Sequence, residues 1–225
     1  MGDPCEPDLS AVKLFPLPGV VLFPRAVLPL HIFEHRYRQM TADALRGDRH
    51  IAMALLQPGW EKSYYGRPAL EPILCVGQIL THEILPDGKY NFLLQGVLRA
   101  RLVREVETGD PYRVAEVQQL EEAPASEDQL REQRERLSAL FLSSSLGMIA
   151  AGQQFGRIVE SDLPTAGVAD LAAFTFLEST SLKQSLLAEP DVGLRVRRTV
   201  EALERVAAEL PQMMRVAAPP DPSVN

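Results

Sequence analysis

Hydrophobic positions in the first half of the chain come in short runs that alternate with polar residues or are broken by proline and glycine. Beyond residue 122 they recur every three or four positions. The first pattern has the period of a strand and the second that of a helix, which predicts an α+β fold. Residues 1–122 are expected to form a β-rich subdomain and residues 123–216 a helical bundle, with a proline-rich tail over 217–225 expected to be disordered.

Within the first segment, VKLFPLPGVVLFPRAVLPLHIF carries Pro16, Pro18, Pro24 and Pro29. That density suits only edge or bulged strands, because each proline removes a backbone donor. FEHRYRQMTADALRGD then sets Phe33, Tyr37, Met40, Ala44 and Leu45 at helical spacing and stops at Gly47, a position suited to a left-handed residue. IAMALL, residues 51–56, reads as a buried strand. VGQILTHEIL and KYNFLLQGVLRARLVREV flank Pro86, Asp87 and Gly88, and the Asp-Gly pair predicts a hairpin whose two central turn residues take positive φ. Gly96 in the second run predicts a bulge or sharp bend, and YRVAEVQQLEE a further strand. Many short strands with one helix predict a small curved or closed β structure.

In the second segment, Ser126 and Gln129 form a capping-box pattern ahead of Leu130, Leu137, Leu140 and Phe141, predicting a long amphipathic helix. ESDLPTAGVADLAAFTFL predicts a second helix, capped by Asp162 with Pro164 in its first turn. LKQSLLAEP predicts a third, stopped by Pro190. DVGLRVRRTVEALERVAAEL predicts a fourth, with Val196, Val200, Leu203 and Val206 on one stripe.

The net charge of −7 and pI near 5.2 disfavour a nucleic-acid partner bound by phosphate neutralisation, which needs a surplus of Lys and Arg on one face. The two cysteines, Cys5 and Cys75, lack a C-x-x-C partner and supply neither a zinc knuckle nor a disulfide framework; Cys75, in the run PILCVG, reads as a buried hydrophobe. The opening MGDPCEPDLS lacks the basic-then-apolar order of a signal peptide, and no apolar run reaches membrane-spanning length. A cytoplasmic protein without a membrane partner is expected.

Three stretches, LFPLPGVVLFPRAVLPLHIFEHRYRQM, PDGKYNFLLQGVLRARLV and LKQSLLAEPDVGLRVRRTVEALERVAAEL, resemble in order and separation the amino-terminal domain of the Lon protease family. The matching motifs lie at Leu14 to Pro24, Ile32 to Met40, Asp87 to Arg99 and Leu186 to Asp191, and the likeness extends over Val12 to Leu210. This resemblance implies a PUA-like β pseudo-barrel with one short helix, joined to a helical bundle, and a part in substrate recognition. A P-loop is not legible: Gly147 to Gln154, GMIAAGQQ, has Gln where phosphate binding needs Lys and Ser or Thr. The expected protein is therefore a free-standing, non-enzymatic module without cofactor, binding a polypeptide substrate or protein partner, and acting as an adaptor in protein quality control. RNA binding through the PUA-like barrel is the alternative.

Candidate residues follow. In QPGWEKSYYGRP, the aromatic side chains of Trp60, Tyr64 and Tyr65, rimmed by Glu61, Lys62 and Arg67, have the composition of a polypeptide-contact surface. Phe155 is grouped with them as a protein-binding candidate. The competing reading packs Trp60 and one tyrosine beneath their own loop. Arg99, Arg101, Arg104 and Arg113 form either a basic strip or a solvated face paired with Glu105, Glu107 and Glu116. His31, Glu34 and His35 spell H-x-x-E-H, a zinc-peptidase order, yet an extended LPLHI followed by a helix from Glu34 would split the two histidines between elements, so no metal is expected.

Overall fold

The computed structural model describes residues 6–63 and 66–217. Two compact units divide the chain. The first comprises residues up to Glu122 together with Ser179–Pro190, and the second Ala123–Glu178 together with the chain from Asp191 onward. The strands are β1 (Val12–Leu17), β2 (Val27–Ile32), β3 (His50–Leu55), β4 (Ile73–Ile84), β5 (Tyr90–Val106) and β6 (Arg113–Gln119). The helices are α1 (His35–Arg46), α2 (Arg131–Ser143), α3 (Ser145–Met148), α4 (Ala150–Val159), α5 (Thr165–Phe176), α6 (Thr180–Leu187) and α7 (Val192–Ala217).

In the first unit all six strands join one mixed sheet in the order β2-β5-β4-β3-β1-β6. Only β1 and β3 run parallel. The 17-residue β5 pairs with β4 through Tyr90–Arg101 and with β6 through Ala100–Val106, so the ladder returns on itself without being a regular barrel. The α+β class stands, and the sheet is strongly curved. Its inner face buries Leu14, Ala54, Leu74, Val76, Ala115 and Val117 in one contiguous cluster.

The prolines sit where a ladder can spare a donor. Pro16 pairs with Ala54 on β3, while β6 covers only Val12–Leu14 of β1, so the strand is already an edge at Pro16. Pro29 lies on β2, which pairs with β5 alone. The β4–β5 hairpin forms as predicted but by a different turn. Gly88 N–H donates to Leu85 O at 2.8 Å, Leu85 N–H to Lys89 O at 2.8 Å, and only Gly88 takes positive φ, 75°. That is a type I turn closed by a left-handed glycine, with Pro86 in the position that favours its fixed φ. Gly96 lies beside the expected bulge, between Val76 and Gly77 of the partner strand.

Two local readings around α1 are corrected. Gly47 has φ −105°, and the left-handed residue is Arg49 at 63°, so the chain reverses two residues later than expected. Phe33 precedes the helix and is 61% exposed; the buried stripe is Tyr37, Met40, Thr41 and Ala44.

In the second unit the capping box is present: Ser126 N–H donates to Gln129 Oε1 at 2.8 Å and Gln129 N–H to Ser126 Oγ at 3.3 Å. The expected long helix is nonetheless broken into α2, α3 and α4. A side chain at Gly147 would collide with Phe141 O, and one at Gly152 with Leu146 O, so these glycines allow the folded-back helices to meet. Asp162 is not the cap of α5. Glu127 accepts instead from Thr165 N at 3.0 Å and Thr165 Oγ1 at 2.6 Å. Helix α7 runs through Pro211 to Ala217; the rest of the predicted tail, residues 218–225, lies outside the described residues. No described helix is long and apolar enough to cross a membrane.

The segment LKQSLLAEP, expected in the bundle, packs on the sheet. Leu186 and Leu187 are buried, and Gln184 Nε2 donates to Ile73 O at 2.7 Å. Arg99, 4% exposed, donates to Leu187 O at 3.2 Å, holding the carboxyl-terminal end of α6.

Candidate functional site

The loop between β3 and β4 is tied at its base before it opens. Leu56 and Leu70 form a bridge, Gln57 N–H donates to Ala69 O at 2.9 Å, and Glu71 N–H donates to Leu55 O at 2.8 Å. Gln57 adds a side-chain bond from Nε2 to Leu70 O at 3.0 Å. Gly59, with φ 87° and open space around its α-carbon, turns the chain into the short 3-10 helix Trp60–Ser63. Trp60 is thereby laid partly buried against the sheet cluster that contains Leu56 and Leu70.

Beside this loop lies a groove of about 490 Å³, wholly within the first unit. Leu55, Leu56, Pro72 and Ile73 contribute apolar surface, and Trp60 contributes its indole. Thr180, Ser181, Gln184 and Ser185 of α6 contribute a polar wall. Ser179 Oγ caps α6 by accepting from Leu182 N at 3.2 Å, so the first turn presenting Thr180 and Ser181 is held in place. An apolar surface bordered by the hydroxyl groups of Thr180, Ser181 and Ser185 can bury a hydrophobic side chain while offering hydroxyl oxygens to the main chain that carries it.

Of the other predicted contact residues, Tyr64 and Tyr65 lie outside the described residues. Arg67 does not line the groove. It borders a separate cleft with Arg36, Tyr37, Tyr112 and Arg113, and its Nη1 is 3.8 Å from Glu105 Oε2. Phe155 is corrected: it is 4% exposed, with ring centroids 4.6 Å from Phe141 and 5.2 Å from Phe176, and serves as core of the helical unit.

The remaining motifs resolve into structure. His31 is on β2, where its Nδ1 is 2.7 Å from Asn91 Oδ1, whereas His35 opens α1 and Glu34 precedes it, paired with Arg36 at 3.1 Å. The basic strip is dismantled. Arg99 is buried beside Glu122, Arg104 pairs with Glu116 at 2.8 Å, and Arg113 holds Glu105 and Pro68 O. Cys75 is fully buried, with its Sγ 3.6 Å from Val76 O. The α6 wall was the part missed from sequence. Its signal was Gln184, a polar residue between the leucines of LKQSLL whose amide serves a strand carbonyl.

A family model for the substrate-binding domain of ATP-dependent protease La (LON) matches residues 11–205. The Lon protease of Desulfosudis oleivorans is 27% identical over 194 residues, covering 86% of this chain and 24% of that protein. The Lon protease of Desulfovibrio desulfuricans is 29% identical over 210 residues, covering 85% of this chain and 22% of that protein. The chain thus spans about a quarter of the length of these relatives. Among solved structures, the N-terminal domain of Mycobacterium avium complex Lon protease superposes with a TM-score of 0.67 at 16% identity, covering 87% of this chain and 98% of that one. The Lon N-terminal domain protein from Xanthomonas campestris gives 0.62 at 24% identity, covering 85% and 98%. Both share the fold.

Proposed function

Because the chain belongs to the family of LON substrate-binding domains, we propose that it is a non-enzymatic polypeptide-binding module that takes apolar segments of unfolded chains into the Trp60 groove. In this reading it works in the cytoplasm as an adaptor in protein quality control. The observation that carries the reading is the pairing of an apolar floor and indole with the polar α6 wall in one groove. An extended segment presents side chains and main-chain polar groups on different sides, and the groove has surface for both. RNA binding has less support, since Arg99 is buried and Arg104 and Arg113 are each held by a glutamate.

Trp60 is the only tryptophan, so its fluorescence reports directly on the groove. Titration with a permanently unfolded model protein should shift the Trp60 emission. In a labelled-ligand assay, Trp60→Ala should weaken binding about tenfold or more, as truncation of a buried aromatic anchor does. Unchanged affinity in Trp60→Ala would place recognition elsewhere.

A further inference from the structure

We propose that Glu71 makes the groove selective for apolar segments flanked by Lys or Arg. This rests on the reading of the groove as a polypeptide site and adds the chemistry of its ligand. Glu71 is the one charged side chain lining the groove among the described residues. Its backbone is fixed on both sides: Glu71 N–H donates to Leu55 O, and the next carbonyl, Pro72 O, accepts from Leu102 N at 2.8 Å. The backbone that carries the carboxylate is therefore held in place at the edge of the groove, next to Pro72 and Ile73.

Several other carboxylates of the same unit hold an arginine: Glu105 holds Arg113, Glu116 holds Arg104 and Glu122 lies 3.5 Å from Arg99. Glu71, which is only half-exposed, has no ion-pair partner among the described residues. A carboxylate partly removed from water beside an apolar surface gains from an incoming cation and repels an incoming carboxylate. An extended ligand advances about 3.3 Å per residue, so an apolar side chain seated against Ile73 brings a neighbouring residue within reach of Glu71. The chain's net charge of −7 acts in the same direction at long range.

The test uses the full chain and three fluorescein-labelled peptides that share one apolar centre and carry Lys, Ser or Glu on either side. At low salt the Lys-flanked peptide should bind about two- to fivefold more tightly than the Ser-flanked one, the range of a partly screened ion pair, and the Glu-flanked peptide most weakly. Glu71→Gln should bring the Lys- and Glu-flanked peptides within about twofold of each other, and Glu71→Lys should reverse their order. Equal binding of the three peptides, or a preference for Lys that survives in Glu71→Gln, overturns the selectivity. If that happens while Trp60→Ala still weakens binding about tenfold or more, the groove reading stands and only the role of Glu71 is lost. Binding indifferent to Trp60→Ala, or no binding of any peptide, removes both.

Discussion

Gln184 on α6 and Ile73 at the start of β4 are joined by a 2.7 Å hydrogen bond from the side-chain amide to the strand carbonyl, with Gln184 itself 8% exposed. The bond gives the Ile73 carbonyl a side-chain donor and sets the α6 wall against the apolar floor. Gln184→Leu keeps the volume but removes the side-chain donor to the Ile73 carbonyl. It should lower stability by about 1–3 kcal/mol in urea unfolding and weaken peptide binding as well. A variant as stable as the parent would show that α6 is held by its leucines and by Arg99 alone.

Gly96 is required for a reason different from Gly59. Arg25 N–H donates to Gly96 O at 2.7 Å and Gly96 N–H to Ala26 O at 2.9 Å, and a Cβ at Gly96 would collide with the Phe23 carbonyl. Gly96→Ala must displace backbone and should cost at least about 2 kcal/mol. Gly59→Ala meets open space and pays only for its left-handed φ, about 1 kcal/mol. Thermal unfolding of the two variants orders them; a smaller loss for Gly96→Ala would contradict the close approach.

Legibility in the sequence followed the range of the interactions involved. The hairpin around Asp87, the capping box of Ser126 and Gln129, and the strand-to-helix change near residue 122 depend on neighbours in the chain and were readable. The position of α6 was not, because Gln184 and Ile73 are 111 residues apart and its amphipathic pattern fits a bundle and a sheet equally. The groove was half legible: Trp60 marked the loop, but its opposite wall came from that displaced helix. Phe155 misled for the same reason. An aromatic residue in a helix looks alike from sequence whether it faces solvent or the rings of Phe141 and Phe176.

His50 predicts an acid-side loss of stability. Its side chain is 3% exposed at the start of β3, with Nδ1 3.4 Å from Asp48 Oδ2. Burial pushes the imidazole below its ordinary value, and the Asp48 carboxylate offsets this only in part, while Lys13 adds to the depression. The unfolded chain therefore takes up the proton more readily. Stability from this group is complete above the unfolded pKa, about 6.5, and is lost as pH falls through the lower folded value. Urea midpoints measured across this range should decline for the parent and decline less steeply for His50→Gln. Parallel slopes would assign the acid loss to other groups.

Phe155 and Trp60 should part company when each is cut back to alanine. The Phe155 ring is enclosed by Phe141 and Phe176 within the helical unit, so Phe155→Ala leaves a cavity and should cost about 3–5 kcal/mol. Under conditions where that variant remains folded, its affinity for an apolar peptide should be that of the parent. Trp60 is partly exposed at the rim of the groove, so less of its surface is lost from the core on truncation. Trp60→Ala should therefore cost less stability than Phe155→Ala while reducing peptide affinity about tenfold or more. Measuring urea midpoint and peptide Kd on both variants separates the two roles. The opposite result, a folded Phe155→Ala that fails to bind beside a Trp60→Ala that binds normally, would move the contact surface from the curved sheet to the helices.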